Sequence, residues 1–395
     1  MSIDIQAAAK AKESYLLDLR HELHMYPEIA CEEERTSARI AEELEKLGIP
    51  HEIIGNRNVV GILTGLGKGP DADSAIAIRA DIDALPMPEE VDWEYKSKIP
   101  GKCHACGHDS HAACLLAAAA CLVEMKEAFS GTVYLCFQIA EEVSGGGAQD
   151  LAAYLEAKGN VREVIANHIA AGSPVGVCTS KGGSFSAGNC HWRITVTGNG
   201  GHGSRPDLCV DPLRPAAMIL NALTMIPTNY STPFEPLVVS PCMIHGGTAF
   251  NIIPDTCVID GNMRFFNTKR LPEIVAKIEE ISSQIAAAFG ATAKLDNIVT
   301  CYPVTNDPEI TEKCRRIAES LPGVSYEARE EPGMGSDDFC YFSEKFRSCY
   351  FQFGAKSDRP GTSPNHHNTK FFLDEKGFLP VVEFFLQYVL TYMPA

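Results

Sequence analysis

The stretch GTVYLCFQIAEE, residues 131–142, joins an apolar run to two adjacent carboxylates, Glu141 and Glu142. Its β-branched and aromatic residues predict a buried strand that ends just before the two glutamates. Similar strand signals alternate with helical apolar spacing along the first third of the chain. The predicted strands lie at 58–64, 74–78 and 163–169, and the predicted helices lie at 13–26, at 32–47 and within 106–129. This alternation indicates a mostly parallel sheet with helices on both faces.

The pattern changes near the glycine pair at 182–183. Between 188 and 300 the signals follow the order strand, helix, strand, strand, helix, strand, which is typical of a small ferredoxin-like α+β domain. The α/β signals then resume and end in a helix at 377–392. We therefore predict an α/β fold in which one domain, formed by 1–187 and 301–395, is interrupted by a satellite domain at 188–300.

Composition narrows the class of protein. The chain has 395 residues, of which 45% are hydrophobic and 22% are charged, as in globular proteins large enough for two domains. The formal net charge of −17 repels phosphate groups, so nucleic acid and anionic membrane surfaces are excluded as expected partners. A small-molecule partner remains compatible with this charge, because a cleft can differ in charge from the whole surface.

The cellular compartment is inferred from the N-terminus and the thiols. Residues 1–5 have neither the basic nor the apolar segment of a secretory signal, and no run approaches about 18 uninterrupted apolar residues. The 15 cysteines are spread from Cys31 to Cys349, and many sit inside apolar patterns, which indicates buried thiols and not a disulfide framework. We expect a cytoplasmic protein without a membrane partner.

The segment CHACGHDSH, residues 103–111, is rich in metal-ligating side chains and precedes a predicted helix. Thiolate, imidazole and carboxylate form the ligand set of transition-metal ions. Two other interpretations stay open at this point. Cys103 and Cys106 match the spacing of a thioredoxin-like redox pair, although the trailing histidines are not typical of one. A closed structural zinc site is the other, although no second paired motif follows.

Further candidates follow the predicted strands. Glu141 and Glu142 leave one strand end, where neighbouring side chains point apart, so one carboxylate can bind metal while the other acts as a base. His168 lies at the end of another predicted strand, and His366 and His367 share a loop near the C-terminus. A solvated acidic loop and purely structural histidines are the alternatives at these positions.

The satellite domain contains a glycine-rich segment, GNGGHGSRP at 198–206. Such density of glycine indicates close backbone approach or a loop at a site. The segment is not a dinucleotide-binding fingerprint, because the glycine spacing, the helix register and the acidic follow-up are missing.

Taken together, the motifs resemble those of the aminoacylase-like metallopeptidases and amidohydrolases. This group includes hippurate hydrolase, N-acetyl-amino-acid deacetylases and plant auxin–amino-acid conjugate hydrolases. The resemblance covers nearly the whole chain. It rests on RHELH at 20–24, PE at 27–28, RADIDALP at 79–86, CGHD at 106–109, AEE at 140–142, GHG at 201–203, NIIPD at 251–255, Arg264, SDDF at 336–339 and His367.

The resemblance implies a zinc-peptidase-like catalytic domain with two divalent metal ions per subunit. Zinc or manganese is favoured, with cobalt and nickel as alternatives. The implied metal ligands are Cys106, which would bridge the two ions, and His108, Glu142, His168 and His367. The family commonly has His-Ser-Pro or His-Asn-Pro where this chain has His367-Asn368-Thr369, and because of this departure His366 is the alternative ligand.

The resemblance also implies roles outside the ligand set. Glu141 would be the general base, and His202 would reach the partner subunit's site across a homodimer formed by the satellite domains. Asn251 and Arg264 would bind the substrate carboxylate or the oxyanion. Asp337 replaces a glutamate and Asp207 replaces a histidine that are common in the family.

The implied activity is metal-dependent hydrolysis of the amide bond of an N-acyl amino acid, such as an N-acetyl or N-benzoyl derivative, to a carboxylate and a free amino acid. A dipeptidase or carboxypeptidase using the same site is the alternative within the hydrolases. A non-catalytic metal-binding protein on the same scaffold is the alternative from another class.

Overall fold

A computed structural model describes residues 3–143, 146–232 and 234–395. Part of the N-terminal segment used to predict the compartment, Met1 and Ser2, lies outside the described residues. The chain divides into two compact units. The first unit comprises Met1–Phe185, Thr305–Pro332 and Asp338–Ala395, and the second comprises Ser186–Val304 and Gly333–Asp337. The predicted domain boundaries at 187/188 and 300/301 stay a prediction.

The elements are numbered in chain order. The strands are β1 (His51–Ile54), β2 (Asn58–Thr64), β3 (Ala75–Asp81), β4 (Thr132–Gln138), β5 (Val161–Ala170), β6 (Val177–Ser180), β7 (Gly183–Ser184), β8 (Gly188–Thr197), β9 (Gly201–His202), β10 (Leu237–Gly246), β11 (Ile252–Ile253), β12 (Thr256–Phe265), β13 (Thr292–Cys301), β14 (Thr305–Asn306), β15 (Ser325–Ala328) and β16 (Arg347–Gly354). The α-helices are α1 (Ile5–Ala11), α2 (Glu13–Met25), α3 (Glu34–Lys46), α4 (His108–Glu124), α5 (Gly147–Lys158), α6 (Leu213–Leu223), α7 (Ile226–Tyr230), α8 (Leu271–Ala288), α9 (Pro308–Ser320), α10 (Cys340–Lys345) and α11 (Phe378–Tyr392). Short 3-10 helices lie at Lys126–Ala128, Pro206–Leu208 and Glu375–Gly377.

The first unit is built on an eight-stranded sheet with the order β1-β2-β4-β3-β5-β16-β6-β15. The four central strands, β4, β3, β5 and β16, run parallel to one another. The antiparallel pairs β1–β2 and β2–β4 lie on one side, and β6 pairs antiparallel with β16 on the other. The predicted α/β class with a mostly parallel sheet is confirmed.

The centre of this sheet is covered by α4. Every residue of β3 is buried, as expected for a strand that helices cover on both faces. The Ala/Leu-rich sequence of α4 is buried from His108 to Leu122, and the helix packs on β3, α2 and α11. Because its alanines are small, α4 can approach the sheet closely along its whole length.

The carboxyl ends of the parallel strands gather the polar residues. Asp81 is the last residue of β3 and pairs in register with Gln138, the last residue of β4. His168 is near the end of the neighbouring strand β5. Ligand and catalytic groups are typically built at this edge of an open α/β sheet, where loops and strand ends meet.

The second unit contains the antiparallel sheet β10-β12-β8-β13, with α6 and α8 packed against it. This is the predicted strand–helix–strand–strand–helix–strand arrangement, with the first and third strands adjacent at the centre. The sheet packs around the buried Trp192. A side chain at Gly261, opposite in register, would place its Cβ 1.8 Å from Trp192 Cζ2, so only glycine allows this contact.

Helices long and apolar enough to cross a membrane are absent from the part of the chain that the structure describes.

Gly107 sets the start of α4 and thereby the position of its first residues. It adopts φ +92°, and an added Cβ would lie 2.6 Å from Ile169 Cγ2. We expect Gly107→Ala to lower the free energy of unfolding by the left-handed penalty of about 1–2 kcal/mol plus about 1–3 kcal/mol of overpacking. Denaturant titration of the purified protein measures the sum.

The matched control is Gly159→Ala, at the end of α5. Gly159 also has a left-handed backbone, with φ +73°, but an added Cβ meets nothing within 4 Å. This variant should therefore show only the conformational penalty of about 1–2 kcal/mol. Equal losses in the two variants would contradict a steric constraint at the start of α4.

Candidate metal centre

Five side chains of the first unit form what we call the Cys106 cluster. Its members are Cys106, His108, Glu142, His168 and His367. Potential ligand atoms of Cys106, His108 and His168 all lie within 4.8 Å of one another, and so do those of Cys106, Glu142 and His367. Cys106 belongs to both groups, so the structure brings all five predicted ligands together around one thiol.

Local backbone geometry delivers these residues from four segments. Cys106 lies in the turn before α4, and His108 is the first residue of that helix. Glu142 follows β4 and His168 lies in β5. His367 comes from a loop, where its backbone takes a left-handed φ of +58° and its N–H donates to the carbonyl of Ala105 at 2.9 Å.

Two of the histidines are held in defined tautomers. His168 Nδ1 donates to the carbonyl of Ile169 at 2.8 Å, and His108 Nδ1 donates to Asp83 Oδ1 at 3.0 Å. Because a carbonyl and a carboxylate oxygen can only accept, both Nδ1 atoms carry the proton. Nε2 is therefore the nitrogen of each ring that can bind a metal ion, and in His168 it lies 3.4 Å from Cys106 Sγ. Metal-ligating histidines usually donate from their other ring nitrogen in this way.

Asp83 supports two predicted ligands at once. Its Oδ1 accepts from His108, and its Oδ2 accepts from the backbone N–H of Glu142 at 2.9 Å. The residue is 1% exposed. A single buried carboxylate therefore fixes the distance between the α4 terminus and the turn after β4.

Buried atoms in the cluster fit a bound cation. His108 Nε2 and Glu142 Oε1 are buried and lack a hydrogen-bond partner among the described residues. They lie 4.0 Å apart, and Glu142 Oε1 is 3.2 Å from His367 Nε2. An unsatisfied buried polar atom costs about 1–3 kcal/mol, so two in one cluster indicate a missing common partner. Thiolate, imidazole and carboxylate donors suit a divalent transition-metal ion.

Protonation balances the charge of this cluster. Burial raises the pKa of the Cys106 thiol. The nearby Cys106 thiol and Glu142 carboxylate raise the pKa of His367 to about 10. Because thiolate and neutral imidazole are the ligating forms, binding of metal ions must displace both protons.

Glu141 stands beside the cluster. Its carboxylate lies within 4.8 Å of ligand atoms of both His108 and Glu142, and it is partly exposed. The expectation that strand alternation separates Glu141 from Glu142 is wrong in its physical reason, because β4 ends at Gln138 and both glutamates lie in a turn. The conformation of this turn, and not the alternation of side chains along a strand, sets the directions of the two glutamate side chains.

His111, Asp81 and Arg79 form a supporting chain to which no role was assigned from the sequence. Arg79 Nη1 donates to Asp81 at 2.6 Å, Asp81 also accepts from His111 Nδ1, and His111 Nε2 accepts from the backbone N–H of Ile169 at 2.8 Å. Potential ligand atoms of Asp81, His108 and His111 also lie within 4.8 Å of one another. Both ring nitrogens of His111 are hydrogen-bonded, however, so His111 has a supporting position. The aspartate that ends the buried strand β3, within RADID at 79–83, is the sequence signal for this chain of contacts.

His366 occupies a different position from His367. Its Nε2 accepts from the backbone N–H of Ala171 at 3.4 Å, and its ring packs against Phe371. Burial lowers the pKa of His366 to about 4. Within the described residues, His367 and not His366 joins Cys106 and Glu142 as a ligand group.

A second buried network explains the RHELH motif. Asp109, next to His108, accepts from His24 Nδ1 at 2.7 Å and lies 3.0 Å from Arg20 Nε. Burial favours the neutral acid, but Arg20 and His24 hold the pKa of Asp109 below its ordinary value. Helix α2 is thereby attached to the first turn of α4.

Cys103, which matched a redox spacing with Cys106, is a free thiol, as is Cys106.

The remaining predicted site residues lie in the second unit. His202, in β9, pairs with Ile252 of β11, and Gly203 N donates to the carbonyl of Asn251 at 2.8 Å. His202 Nδ1 accepts from Ser204 N at 3.1 Å, so the neutral ring carries its proton on Nε2.

Arg264 is half-buried at the end of β12, and its Nη1 donates to Ser336 Oγ at 3.1 Å. Burial lowers the pKa of Arg264. Asp207, which departs from the family pattern, forms two hydrogen bonds with Arg205 at 2.9 and 2.7 Å.

Known proteins share this architecture. Residues 77–391 match the model of peptidase family M20/M25/M40. Thermostable carboxypeptidase 1 of Saccharolobus solfataricus is 36% identical over 367 residues, covering 92% of this chain and 91% of that protein. IAA-amino acid hydrolase ILR1-like 4 of Arabidopsis thaliana is 33% identical over 369 residues, covering 92% and 82%.

A solved structure agrees with these relatives. The crystal structure of the Bacillus subtilis YXEP protein, described as a dinuclear metal binding peptidase from the M20 family, has a TM-score of 0.82 and 27% identity, with 97% of this chain and 99% of that chain covered. The resemblance inferred from the sequence motifs is confirmed. The chain belongs to peptidase family M20/M25/M40 and is a hydrolase of the metallopeptidase and amidohydrolase class.

Proposed function

We propose that this protein hydrolyses the amide bond between an acyl group and the nitrogen of an amino acid, using a dinuclear metal centre. The observation that carries the proposal is the membership of Cys106 in two ligand groups, with the carboxylate of Glu141 beside them. A shared thiolate can hold two ions, and a carboxylate within reach of both groups can transfer protons. The Arabidopsis thaliana relative, whose name states hydrolysis of an IAA–amino acid, supports this substrate class.

The ligand assignment follows the two groups. Cys106, His108 and His168 would hold one ion, and Cys106, Glu142 and His367 would hold the other. Zinc or manganese is proposed, with cobalt and nickel as alternatives. When bound, the ions would polarise the substrate carbonyl and lower the pKa of water.

Glu141 is proposed as the proton carrier. Its carboxylate would accept a proton from the attacking water and deliver it to the nitrogen of the leaving amino acid, so the proton count balances over one turnover. General acid–base catalysis of this kind contributes about 10²–10⁴-fold to the rate. Adjacent Glu142 would remain a ligand throughout.

Residues of the second unit are proposed to bind the substrate. The proton on His202 Nε2 makes it a hydrogen-bond donor suited to an oxyanion, and we assign it to the partner subunit's site in a homodimer. Asn251 and Arg264 are assigned to the substrate carboxylate, because a guanidinium matches carboxylate geometry. The free thiols are typical of a reducing compartment, so we propose a cytoplasmic location.

A carboxypeptidase or dipeptidase activity is the second candidate, and the relative named thermostable carboxypeptidase 1 favours it. The two candidate activities differ in what the acyl part of the substrate carries. A dipeptidase must accept a free amino group on the acyl residue, whereas an N-acyl amino acid carries none.

The two adjacent glutamates should respond differently to the loss of their charge. Glu141→Gln should keep the metal content of the wild type and lose about 10²–10⁴-fold in kcat, because only proton transfer is removed. Glu142→Gln should lose metal as well as activity. Steady-state kinetics and elemental analysis of the same preparations measure both. Near-normal turnover in Glu141→Gln would show that the base is elsewhere.

Metal removal provides a test of the class of mechanism. Dialysis against a chelator should abolish hydrolysis of N-acetyl, N-benzoyl and longer N-acyl amino acids, and added zinc, manganese, cobalt or nickel should restore it. A panel of free-amino dipeptides measured in parallel should give lower kcat/KM values. Chelator-insensitive hydrolysis contradicts the metal mechanism, and faster dipeptide hydrolysis favours the second candidate.

Arg264 generates a prediction on specificity. Arg264→Met should raise KM for an N-acyl amino acid about 10- to 150-fold, because a hydrogen bond to a charged group contributes about 1.5–3 kcal/mol. The same variant should leave KM for the corresponding N-acyl amino acid amide nearly unchanged. Arg270→Met, at a guanidinium bonded to Tyr230 O and Glu235, is the matched control and should alter neither value. Equal losses on both substrates would contradict carboxylate binding.

A further inference from the structure

Ala140 is the residue that precedes Glu141, and its backbone is unusual. Its φ is +56°, a left-handed conformation that non-glycine residues rarely adopt, and its side chain is fully buried. Such a conformation persists only where surrounding contacts enforce it, and it occurs preferentially at functional sites. The contacts that enforce it here can be identified.

Two buried side chains hold the turn. Glu33 Oε1 accepts from the backbone N–H of Ala140 at 2.8 Å. Asn58 Oδ1 accepts from the N–H of Ile139 at 3.0 Å, and its Nδ2 donates to the carbonyl of Gly147 at 3.2 Å. Both Glu33 and Asn58 are 0% exposed. Consecutive amide groups of the turn are thus fixed from outside the turn.

Glu33 is available for this contact because another residue caps its helix. It occupies the N-cap position of α3 but makes no side-chain capping bond. Glu28 instead accepts from the backbone N–H groups of Arg35 and Thr36, at 3.0 and 2.7 Å. The first turn of α3 is therefore satisfied without Glu33, and the Glu33 side chain extends to Ala140.

The placement of Glu33 is unfavourable for stability alone. Its Oε2 is buried without a hydrogen-bond partner among the described residues, and burial raises the pKa of Glu33 to about 7. A buried carboxyl with one unsatisfied oxygen costs free energy that an apolar side chain would not. Glu33 also belongs to none of the ligand groups of the Cys106 cluster.

We propose that Glu33 and Asn58 are positioning residues that hold the turn at 139–142 in the left-handed conformation required to present Glu141 to the substrate. The inference rests on the proposed function of Glu141 as the proton carrier. Glu142 has its own support in Asp83, so loss of Glu33 affects the base more than the ligand. The two glutamates are therefore aimed by separate buried carboxylates.

Glu33→Ala and Glu33→Gln test the proposal. Glu33→Ala should lower kcat roughly 10- to 100-fold, because displacement of a catalytic group by about 1 Å has effects of this size. KM and metal content should stay within about twofold of the wild type. Glu33→Gln should recover kcat to within about threefold, since its amide oxygen still accepts from Ala140. Unchanged kcat in Glu33→Ala, or a Gln variant as slow as the Ala variant, would overturn the proposal.

If Glu33→Ala does not fold, the same substitution can be tested in an Ala140→Gly variant. Ala140→Gly removes the left-handed penalty and should allow Glu33→Ala to fold in the double variant. The double variant should still be at least tenfold slower than Ala140→Gly alone, with equal metal content. Equal rates of the two would reject Glu33 as a positioning residue.

Failure of this inference can be told apart from failure of the proposed function. If Glu141→Gln is inactive and Glu33→Ala is fully active, only the positioning role is wrong. If Glu141→Gln retains wild-type turnover on the N-acyl substrates, the base assignment is wrong and the positioning proposal fails with it.

Discussion

The buried guanidinium of Arg79 connects the segments that form the candidate metal centre. It donates to Asp81 on its own strand, to Gln138 at the end of β4 and to Asp338, which is distant in sequence. Asp81 accepts a hydrogen bond from His111 Nδ1, and His111 Nε2 accepts one from the backbone N–H of Ile169. These contacts fix the backbone beside the predicted ligand His168. A buried charge that loses one partner costs about 3–5 kcal/mol, so these strand ends can hardly move independently.

The supporting carboxylates around the candidate metal centre are paired with buried cations. Asp81 is paired with Arg79, and Asp109 is paired with Arg20 and His24. Asp81 also acts on the cluster: although burial disfavours a charged His108 ring, the charge of Asp81 contributes to raising the pKa of His108. Glu142 keeps an oxygen without a hydrogen bond among the residues described. The buried cations therefore pair with the supporting carboxylates Asp81 and Asp109, and the proposed ligand Glu142 is left for a metal ion.

The elements and ligand candidates were predictable because local patterns encode them. Continuous apolar runs identified β3 and β4, and residue chemistry identified the cluster at 103–111. The supporting contacts were not predictable, because they join residues far apart in sequence: Glu33 meets Ala140 and Arg79 meets Asp338 only after the chain folds. The choice between His366 and His367 depends on a left-handed backbone at 367, for which no residue pattern gives a signal.

The adjacent glutamates reach one site for a physical reason other than the expected one. Strand alternation would send neighbouring side chains to opposite faces, and one of them would then leave the site. In the structure β4 ends at Gln138, and the carboxylates of Glu141 and Glu142 both come within 4.8 Å of His108. Two neighbouring carboxylates can share one site only if the backbone turns between strand and ligand. The strained turn at Ala140 is therefore the feature that would allow the proposed ligand and the proposed base to be consecutive residues.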